Sequence, residues 1–167
     1  MTALVRIEPL TAEAFSPFGD VLEAAGEPDR IINRGACGRW HDLARLDMTD
    51  GRAGISLFRA RLCQLPFHLE MMERHPQGSQ AFLPMGLDPF LVIVAHDEDG
   101  RPGRPRAFVT RPGQGVNYRR AVWHGVLTPL HEPGLFIVVD RIGDGANLEE
   151  HWFDKPFRIE DGPCQES

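Results

Sequence analysis

The chain has 167 residues, of which 42% are hydrophobic and 25% charged, as expected for one globular domain with its own core. Its formal net charge of -6 and the lack of a basic stripe argue against nucleic acid as a partner. Charges interrupt any signal-like N-terminal segment, and the apolar runs at 91–95 and 135–139 are too short for a bilayer, so the sequence predicts a soluble, cytoplasmic protein with no membrane contact.

The predicted elements are short strands separated by turns. A weakly alternating strand over residues 4–9, expected at a sheet edge, precedes one helical turn at 12–15 that Thr11 caps. The 14 prolines and 17 glycines punctuate the later apolar runs, which favours an all-β meander or Greek key over βαβ units. Further strands are predicted at 20–23, 39–43, 54–62, 67–73, 80–83, 90–96, 106–110, 122–127 and 135–141.

Two regions lie outside these strands. Residues 97–105 combine glycine, proline and charge, which predicts a surface loop without a strand or helix. Residues 144–167 form a polar tail that is expected to pack on the barrel or on a partner subunit. No shift in composition marks a second domain, so residues 1–167 are expected to form one. The three cysteines form no even set or C-x-x-C pair and are expected to be reduced thiols: Cys37, Cys63 and Cys164.

Two segments carry residues that can bind a metal or move a proton. Glu73, His75 and Gln80 have the spacing of the first half-motif of a cupin barrel, and Gly113 and His124 have that of the second. Because side chains alternate along a strand, Glu73 and His75 share one face. The sequence therefore predicts a cupin-like double-stranded β-helix, or jelly-roll barrel, with short peripheral helical turns, in which Glu73, His75, Gln80 and His124 converge.

Two imidazoles, a carboxylate and an amide oxygen can hold a first-row divalent ion such as nickel, manganese, iron or zinc. The alternative for His75 and for His124 is a hydrogen-bonded core histidine. Glu73 could instead pair with Arg74 or Arg120. The paired spacing of the two segments favours a shared site over these separate structural roles.

The block from Glu73 to Met85 reads E-R-H-P-Q-G-S-Q-A-F-L-P-M, and G-V-N-Y from Gly115 is followed by V-W-H ending at His124. These blocks resemble the ureidoglycolate lyase family of purine and allantoin breakdown. The resemblance runs from about residue 10 to about residue 143, with shorter matches at 14–15, 18–21, 32–33, 41–43, 107–108 and 140–143.

The resemblance implies a cupin fold, a homodimer, and cleavage of (S)-ureidoglycolate to glyoxylate and urea. Nickel is the metal that it implies, and no organic cofactor is expected. The ureidoglycolate carbon becomes an aldehyde and releases urea once the hydroxyl loses its proton and the departing nitrogen gains one. Because no water is consumed, such an enzyme is a lyase.

This reaction needs a base, an acid and a group that binds the carboxylate. His124 or His75, free or through a metal, is expected to act on the hydroxyl. Glu73 is expected to orient the hydroxyl or to act as the acid, and Gln80 to bind the metal or the ureido group.

Three further residues are candidates for binding the substrate. Arg59 is the candidate for the carboxylate, with Asn33 and Tyr118 assisting. Their structural alternatives are a surface ion pair for Arg59, turn chemistry for Asn33 and a structural hydrogen bond for Tyr118. Asp140 and Arg141 are expected to form an ion pair at the end of a strand.

Two other functions remain open from the sequence alone. One is a different metal-dependent cupin enzyme, an oxygenase or isomerase acting on a small oxyacid. The other is a ligand-sensing cupin that binds a small acid without turning it over. Urea formation distinguishes both from the lyase.

Overall fold

The computed structural model describes residues 3–161 and shows an all-β protein. One four-residue helix, α1 (Ala12–Phe15), and a 3-10 turn at Asn33–Gly35 accompany the strands. The strands in chain order are β1 Leu4–Pro9, β2 Gly19–Leu22, β3 Arg30–Ile32, β4 Cys37–Arg39, β5 Arg52–Arg59, β6 Phe67–Arg74, β7 Gln80–Pro84, β8 Phe90–Ala95, β9 Asp97–Glu98, β10 Arg101–Pro102, β11 Arg106–Val109, β12 Gly115–Tyr118, β13 Trp123–His124, β14 Thr128–Pro129, β15 Leu135–Ile142 and β16 Glu149–Glu160.

Six strands close into a barrel. They pair in the order β11, β1, β16, β6, β13 and β8, and β8 pairs again with β11. The interior of this barrel holds a cluster of buried apolar side chains that includes Leu69, Met72, Ile93 and Trp123. The closed sheet confirms the prediction of an all-β, cupin-like barrel.

A second sheet of five strands, in the order β2, β12, β7, β15 and β5, covers one side of this barrel. Its inward side chains form the larger core cluster together with residues of β8 and β11. Because both faces of β8 are covered, Phe90–Ala95 is buried throughout, as the unbroken apolar run requires. The cluster between the two layers includes Phe15, Phe18, Phe82, Val92, Val94, Phe108, Val116, Tyr118, Phe136 and Val138.

The short helix forms as the sequence predicts. Thr11 has extended backbone angles, and its hydroxyl oxygen accepts a hydrogen bond from the Ala14 N–H at 3.1 Å. This side-chain acceptor satisfies one of the N–H groups that the first helical turn leaves unpaired. The turn carries Phe15 into the core between the two sheets.

The position of β1 differs from the prediction of an edge strand. β1 pairs in parallel with both β11 and β16, so it lies inside the closed sheet. These parallel pairings also show that the topology is not a simple meander. The weak apolar–polar alternation of this strand did not predict its position, because every strand of a closed barrel has a neighbour on both sides, whatever its sequence pattern.

Two regions for which no strand was predicted contain strands. Asp97–Glu98 and Arg101–Pro102 pair as a small hairpin, with Asp99 and Gly100 at positive φ in its two-residue turn. The prediction of a loop without strands over 97–105 was therefore wrong. In the tail, β16 spans twelve residues and pairs with β6 and β1, so it is an integral wall of the barrel.

Smaller differences concern strand boundaries. β3 and β12 were not predicted, and the strand expected at 39–43 is β4, which ends at Arg39 and pairs with β3. The strand expected at 122–127 is the two-residue β13. Cys37 and Cys63 are free thiols, whereas Cys164 lies outside the described residues. In the described part of the chain, no helix has the length and hydropathy needed to cross a membrane.

Candidate functional site

Three of the predicted residues meet between the barrel and the second sheet. His124 lies directly opposite Glu73 in the pairing of β13 with β6, so both side chains point to the same face. The neighbouring Trp123 points the other way, into the barrel interior. His75 follows the end of β6, two residues after Glu73. Ligand atoms of Glu73, His75 and His124 all lie within 4.8 Å of one another.

Both imidazoles are oriented by backbone carbonyl groups. The Nδ1 atom of His75 lies 2.7 Å from the Asn147 carbonyl oxygen, and Nδ1 of His124 lies 3.0 Å from that of Gly125. Because a carbonyl oxygen only accepts, the neutral form of each ring carries its proton on Nδ1 and has its lone pair on Nε2. Both Nε2 atoms are buried and have no hydrogen-bond partner among the described residues. The ring centroids are 5.3 Å apart.

Tyr118 of the second sheet contacts this cluster, and Gln80 lies next to Tyr118 in the same sheet. The two residues are directly opposite each other in the pairing of β12 with β7. The Tyr118 ring stacks on His124, with centroids 4.4 Å apart and planes only 3° from parallel. The Gln80 Nε2 group donates to the Asp140 carboxylate at 3.2 Å, while its Oε1 atom is buried without a partner in the described structure.

Burial sets the protonation of the site. It lowers the pKa of His124 to about 3, with a further contribution from the neighbouring His75. It also raises the pKa of the Glu73 carboxyl; His75 opposes this shift and Glu150 adds to it. The pKa of Tyr118 is raised by burial and by Glu73. His124 and Tyr118 are therefore neutral at pH 7, and Glu73 binds a proton more readily than an exposed glutamate.

The donor set fits a divalent metal ion. His75 Nε2, His124 Nε2 and Gln80 Oε1 are buried acceptors without partners, and such atoms are rare because each costs about 1–3 kcal/mol when left unpaired. The Glu73 carboxylate adds a negative charge beside them. Imidazole nitrogen combined with carboxylate and amide oxygen is a set that first-row divalent ions accept.

The structural alternatives for Glu73 are not seen in residues 3–161. Arg74 forms ion pairs with Asp97 and Glu149, and Arg120 forms one with Asp47 at 3.4 Å. The carboxylate of Glu73 thus remains available to the two histidines.

Arg59 does not join this cluster. Phe58 packs against the core residue Phe82, so its neighbour Arg59 points to the outer face of β5, where it is exposed. Arg59 also pairs with Leu135 at the start of β15, whereas Gln80 pairs with Asp140 near the end of that strand. The structure therefore does not bring Arg59 to the candidate site.

Asn33 is also apart from the cluster, and it has the turn conformation given as its structural alternative. It lies in the exposed 3-10 turn between β3 and β4, with a positive φ of 54°. Tyr118, in contrast, is part of the site, where its contact with His124 is made by the ring.

Asp140 and Arg141 do not form the predicted ion pair. Arg141 donates to the carbonyl oxygens of Thr49, Asp50 and Asp144, and Asp140 accepts from Gln80. Adjacent residues of a strand point to opposite faces, so a strand-end pair between them was geometrically disfavoured.

Two residues next to the cluster were missed because they follow position 143. Asn147 orients His75 through its backbone carbonyl group, a contact for which no side-chain signal exists in the sequence. Glu150 is directly opposite Glu73 in the pairing of β16 with β6, so that Glu73 lies between Glu150 and His124. Finding Glu150 would have required predicting β16 and its register.

Comparison with known proteins agrees with the resemblance noted in the sequence. The family model described as "Ureidoglycolate lyase" matches residues 2–160. A ureidoglycolate lyase of Rhodobacter capsulatus is 62% identical over 157 residues, covering 93% of this chain and 98% of that protein. The corresponding protein of a Chelativorans species is 54% identical over 154 residues, covering 91% and 93%. Ureidoglycolate lyase 2 of Rhizobium meliloti is 51% identical over 156 residues, covering 92% and 96%.

Proposed function

The chain belongs to the ureidoglycolate lyase family, and we propose that it cleaves (S)-ureidoglycolate to glyoxylate and urea at the Glu73, His75 and His124 cluster. The observation that carries the proposal is the convergence of these three ligand groups within 4.8 Å, with the Nε2 atoms of both histidines buried and without partners among the described residues. The alternatives of a different cupin enzyme or a ligand sensor have no comparable support.

The reaction moves one proton from oxygen to nitrogen and breaks one carbon–nitrogen bond. The hydroxyl group of ureidoglycolate loses its proton, the carbon–oxygen bond becomes a carbonyl group, and the carbon–nitrogen bond breaks. The departing nitrogen takes up a proton, which gives urea and leaves glyoxylate. A group that can accept the first proton and return it to the nitrogen balances the reaction without water.

Glu73 is the residue to which we assign this proton transfer. Its carboxyl group has a raised pKa, so it holds a proton more readily than an exposed glutamate, and it faces both histidines. His124 is a poor base because burial lowers its pKa to about 3. Its neutral ring, stacked on Tyr118, instead gives the site a fixed wall.

His75, His124 and Gln80 are the residues that would hold a divalent ion, with Glu73 facing it. The three offer unpaired, buried acceptor atoms, and the chemistry of two imidazoles with an amide oxygen is compatible with nickel, the ion implied by the family resemblance. When bound, such an ion supplies positive charge to the oxygen atoms of the substrate and acidifies its hydroxyl group. Arg59 has no part in this assignment.

A homodimer is the second part of the proposal. β5 is an edge strand of the second sheet, and its outward residues Ile55 and Leu57 are 78% and 63% exposed. The adjacent Ile137 and Val139 of β15 share this outer face. An exposed apolar face on a strand that has only one neighbour among residues 3–161 is costly in water. A second copy of the chain, related by twofold symmetry, would cover it.

One assay tests the reaction. Purified protein is incubated with racemic ureidoglycolate, and urea, glyoxylate and ammonia are measured together. We expect urea and glyoxylate to appear in equal amounts from one enantiomer, without ammonia. Ammonia in place of urea would mean that the amide is hydrolysed, and the lyase assignment would then be wrong.

A further inference from the structure

We propose that Asp140 is a positioning residue that fixes the amide group of Gln80 with its oxygen toward the histidines. Gln80 thereby serves the site as an acceptor and not as a donor. This inference deepens the proposed function and rests on its assignment of Gln80 as a ligand.

The order of the strands places Gln80 between two partners. β7 lies between β12 and β15, and Gln80 is directly opposite Tyr118 on one side and Asp140 on the other. All three side chains point to the same face of the sheet. The Gln80 Nε2 group donates toward Asp140, at 3.2 Å from its Oδ2 atom. The Oε1 atom is therefore on the side of Tyr118, whose ring stacks on His124.

The negative charge of Asp140 favours only one of the two orientations of the Gln80 amide group. A carboxylate accepts hydrogen bonds and cannot donate them, so only the NH2 end of the Gln80 amide can face it favourably. In the flipped orientation, Oε1 would lie against the carboxylate, and the two N–H donors would point toward the histidines. Those donors would then compete for the Nε2 lone pairs of His75 and His124, which are unpaired in the described structure.

The carboxylate of Asp140 can accept the hydrogen bond from Gln80 because the neighbouring guanidinium group of Arg141 is bound to other residues. Arg141 is 8% exposed and donates to the backbone carbonyl groups of Thr49, Asp50 and Asp144. Among residues 3–161, the bond from Gln80 is the hydrogen bond that the Asp140 side chain accepts. An orienting partner of this kind typically changes metal affinity about 10–100-fold when it is removed.

The test compares Asp140→Asn, Gln80→Glu and the exchanged double variant Gln80→Glu/Asp140→Asn. Affinity for Ni²⁺ and Co²⁺ is measured by competition with a chelator, and the absorption spectrum of the Co²⁺ form reports the ligand set. Asp140→Asn is expected to weaken affinity about 10-fold or more, because an asparagine can hydrogen-bond to either end of the amide. Asp154→Asn, an exposed aspartate of β16, is the matched control and should change affinity less than about 2-fold.

The double variant distinguishes an effect of the direction of the hydrogen bond between positions 80 and 140 from an effect of side-chain packing alone. Gln80→Glu alone places two carboxylates side by side and should weaken binding or unfold the site. In the double variant, the introduced asparagine donates to the introduced glutamate, whose second oxygen faces the histidines. Affinity should therefore return to at least the wild-type value. If Asp140→Asn does not fold, the double variant is compared with Gln80→Glu.

Three results would overturn the inference. They are unchanged affinity in folded Asp140→Asn, a double variant no better than Gln80→Glu, and a wild-type protein that binds neither ion. The last result together with normal urea release would leave the proposed function intact. Conversely, metal binding that depends on Asp140 without urea release would support the inference and contradict the proposed function.

Discussion

His124 lies directly opposite Glu73, on neighbouring strands of the closed barrel, and the two side chains face the same side. This register joins the two segments of the sequence that carry chemistry. It places a neutral, buried imidazole beside a carboxyl group whose pKa is raised by the same burial. The site thus combines a histidine that stays neutral with a carboxyl group that can accept and release a proton.

Replacing Glu73 by glutamine should reduce the rate of urea release by about 10²–10⁴-fold, because the amide cannot carry the proton from the hydroxyl group to the nitrogen. Glu150→Gln is the control, since Glu150 lies opposite Glu73 on the other neighbouring strand and is exposed. It should retain turnover within about 10-fold. Equal losses in both variants would remove Glu73 from proton transfer.

Tyr118 should act through its ring. Tyr118→Phe keeps the stack on His124 and should retain turnover within a few fold, whereas Tyr118→Leu loses the stack and should lower it much more. Steady-state measurement of kcat and KM separates these cases. A large rise in KM for Tyr118→Phe would instead support the role in binding the substrate carboxylate for which Tyr118 was a candidate from the sequence.

The convergence of Glu73, His75 and His124 could be predicted from the sequence because strand periodicity and motif spacing constrain it. The prediction that Arg59 lies at the site was wrong for a physical reason. The face on which Arg59 lies is decided by the packing of Phe58 on Phe82, and alternation alone could not show which set of residues points inward.

The tail shows a different limit of the sequence. β16 has charged residues on its solvent side and a shift of register between Trp152 and Phe157, so its pattern lacks a clean period of two. The contacts of Asn147 and Glu150 with the site depend on this strand and the loop before it. They are long-range consequences of barrel closure that no local pattern encodes.

The stability of the metal-free protein should depend on pH through His124. Its pKa is about 3 in the folded state, against an ordinary value of 6.5, so below pH 6.5 the unfolded chain binds a proton that the folded chain does not. Stability is therefore lost as the pH falls, by up to about 1.4 kcal/mol per pH unit from this group.

Urea denaturation at about pH 6.5 and about pH 5, with chelator present, measures this loss. His124→Gln should show a smaller loss of stability between the two pH values than the wild type. His68→Gln, at an exposed position on β6, should behave like the wild type. If wild type and His124→Gln lose the same free energy of unfolding between the two pH values, His124 is not the cause of the pH dependence.

Bound metal should stabilise the folded protein. An ion at about 100 times its dissociation constant adds about 2.7 kcal/mol to the free energy of unfolding. Chelator should therefore lower the melting temperature and reduce urea release, and added Ni²⁺ should restore both. His124→Ala should show no shift of its melting temperature on adding the ion. Full activity after exhaustive chelation would exclude a required metal.

The exposed face of β5 should form the dimer interface. Ile55→Glu/Leu57→Glu places two charges on this face and should convert the dimer to a monomer, as measured by light scattering after gel filtration. Leu148→Glu, at another exposed leucine, is the control and should leave the mass unchanged. A wild-type monomer, or a double variant that stays dimeric, would contradict this interface.

Whether the Glu73, His75 and His124 cluster is the active site is tested by measuring urea release by His124→Ala beside the wild type on racemic ureidoglycolate. Circular dichroism and thermal unfolding establish that the variant is folded. We expect urea release to fall by at least about 10³-fold, because the variant loses both a ligand atom and the ring on which Tyr118 stacks. Near-normal turnover by the folded variant would contradict the assignment of this cluster as the active site.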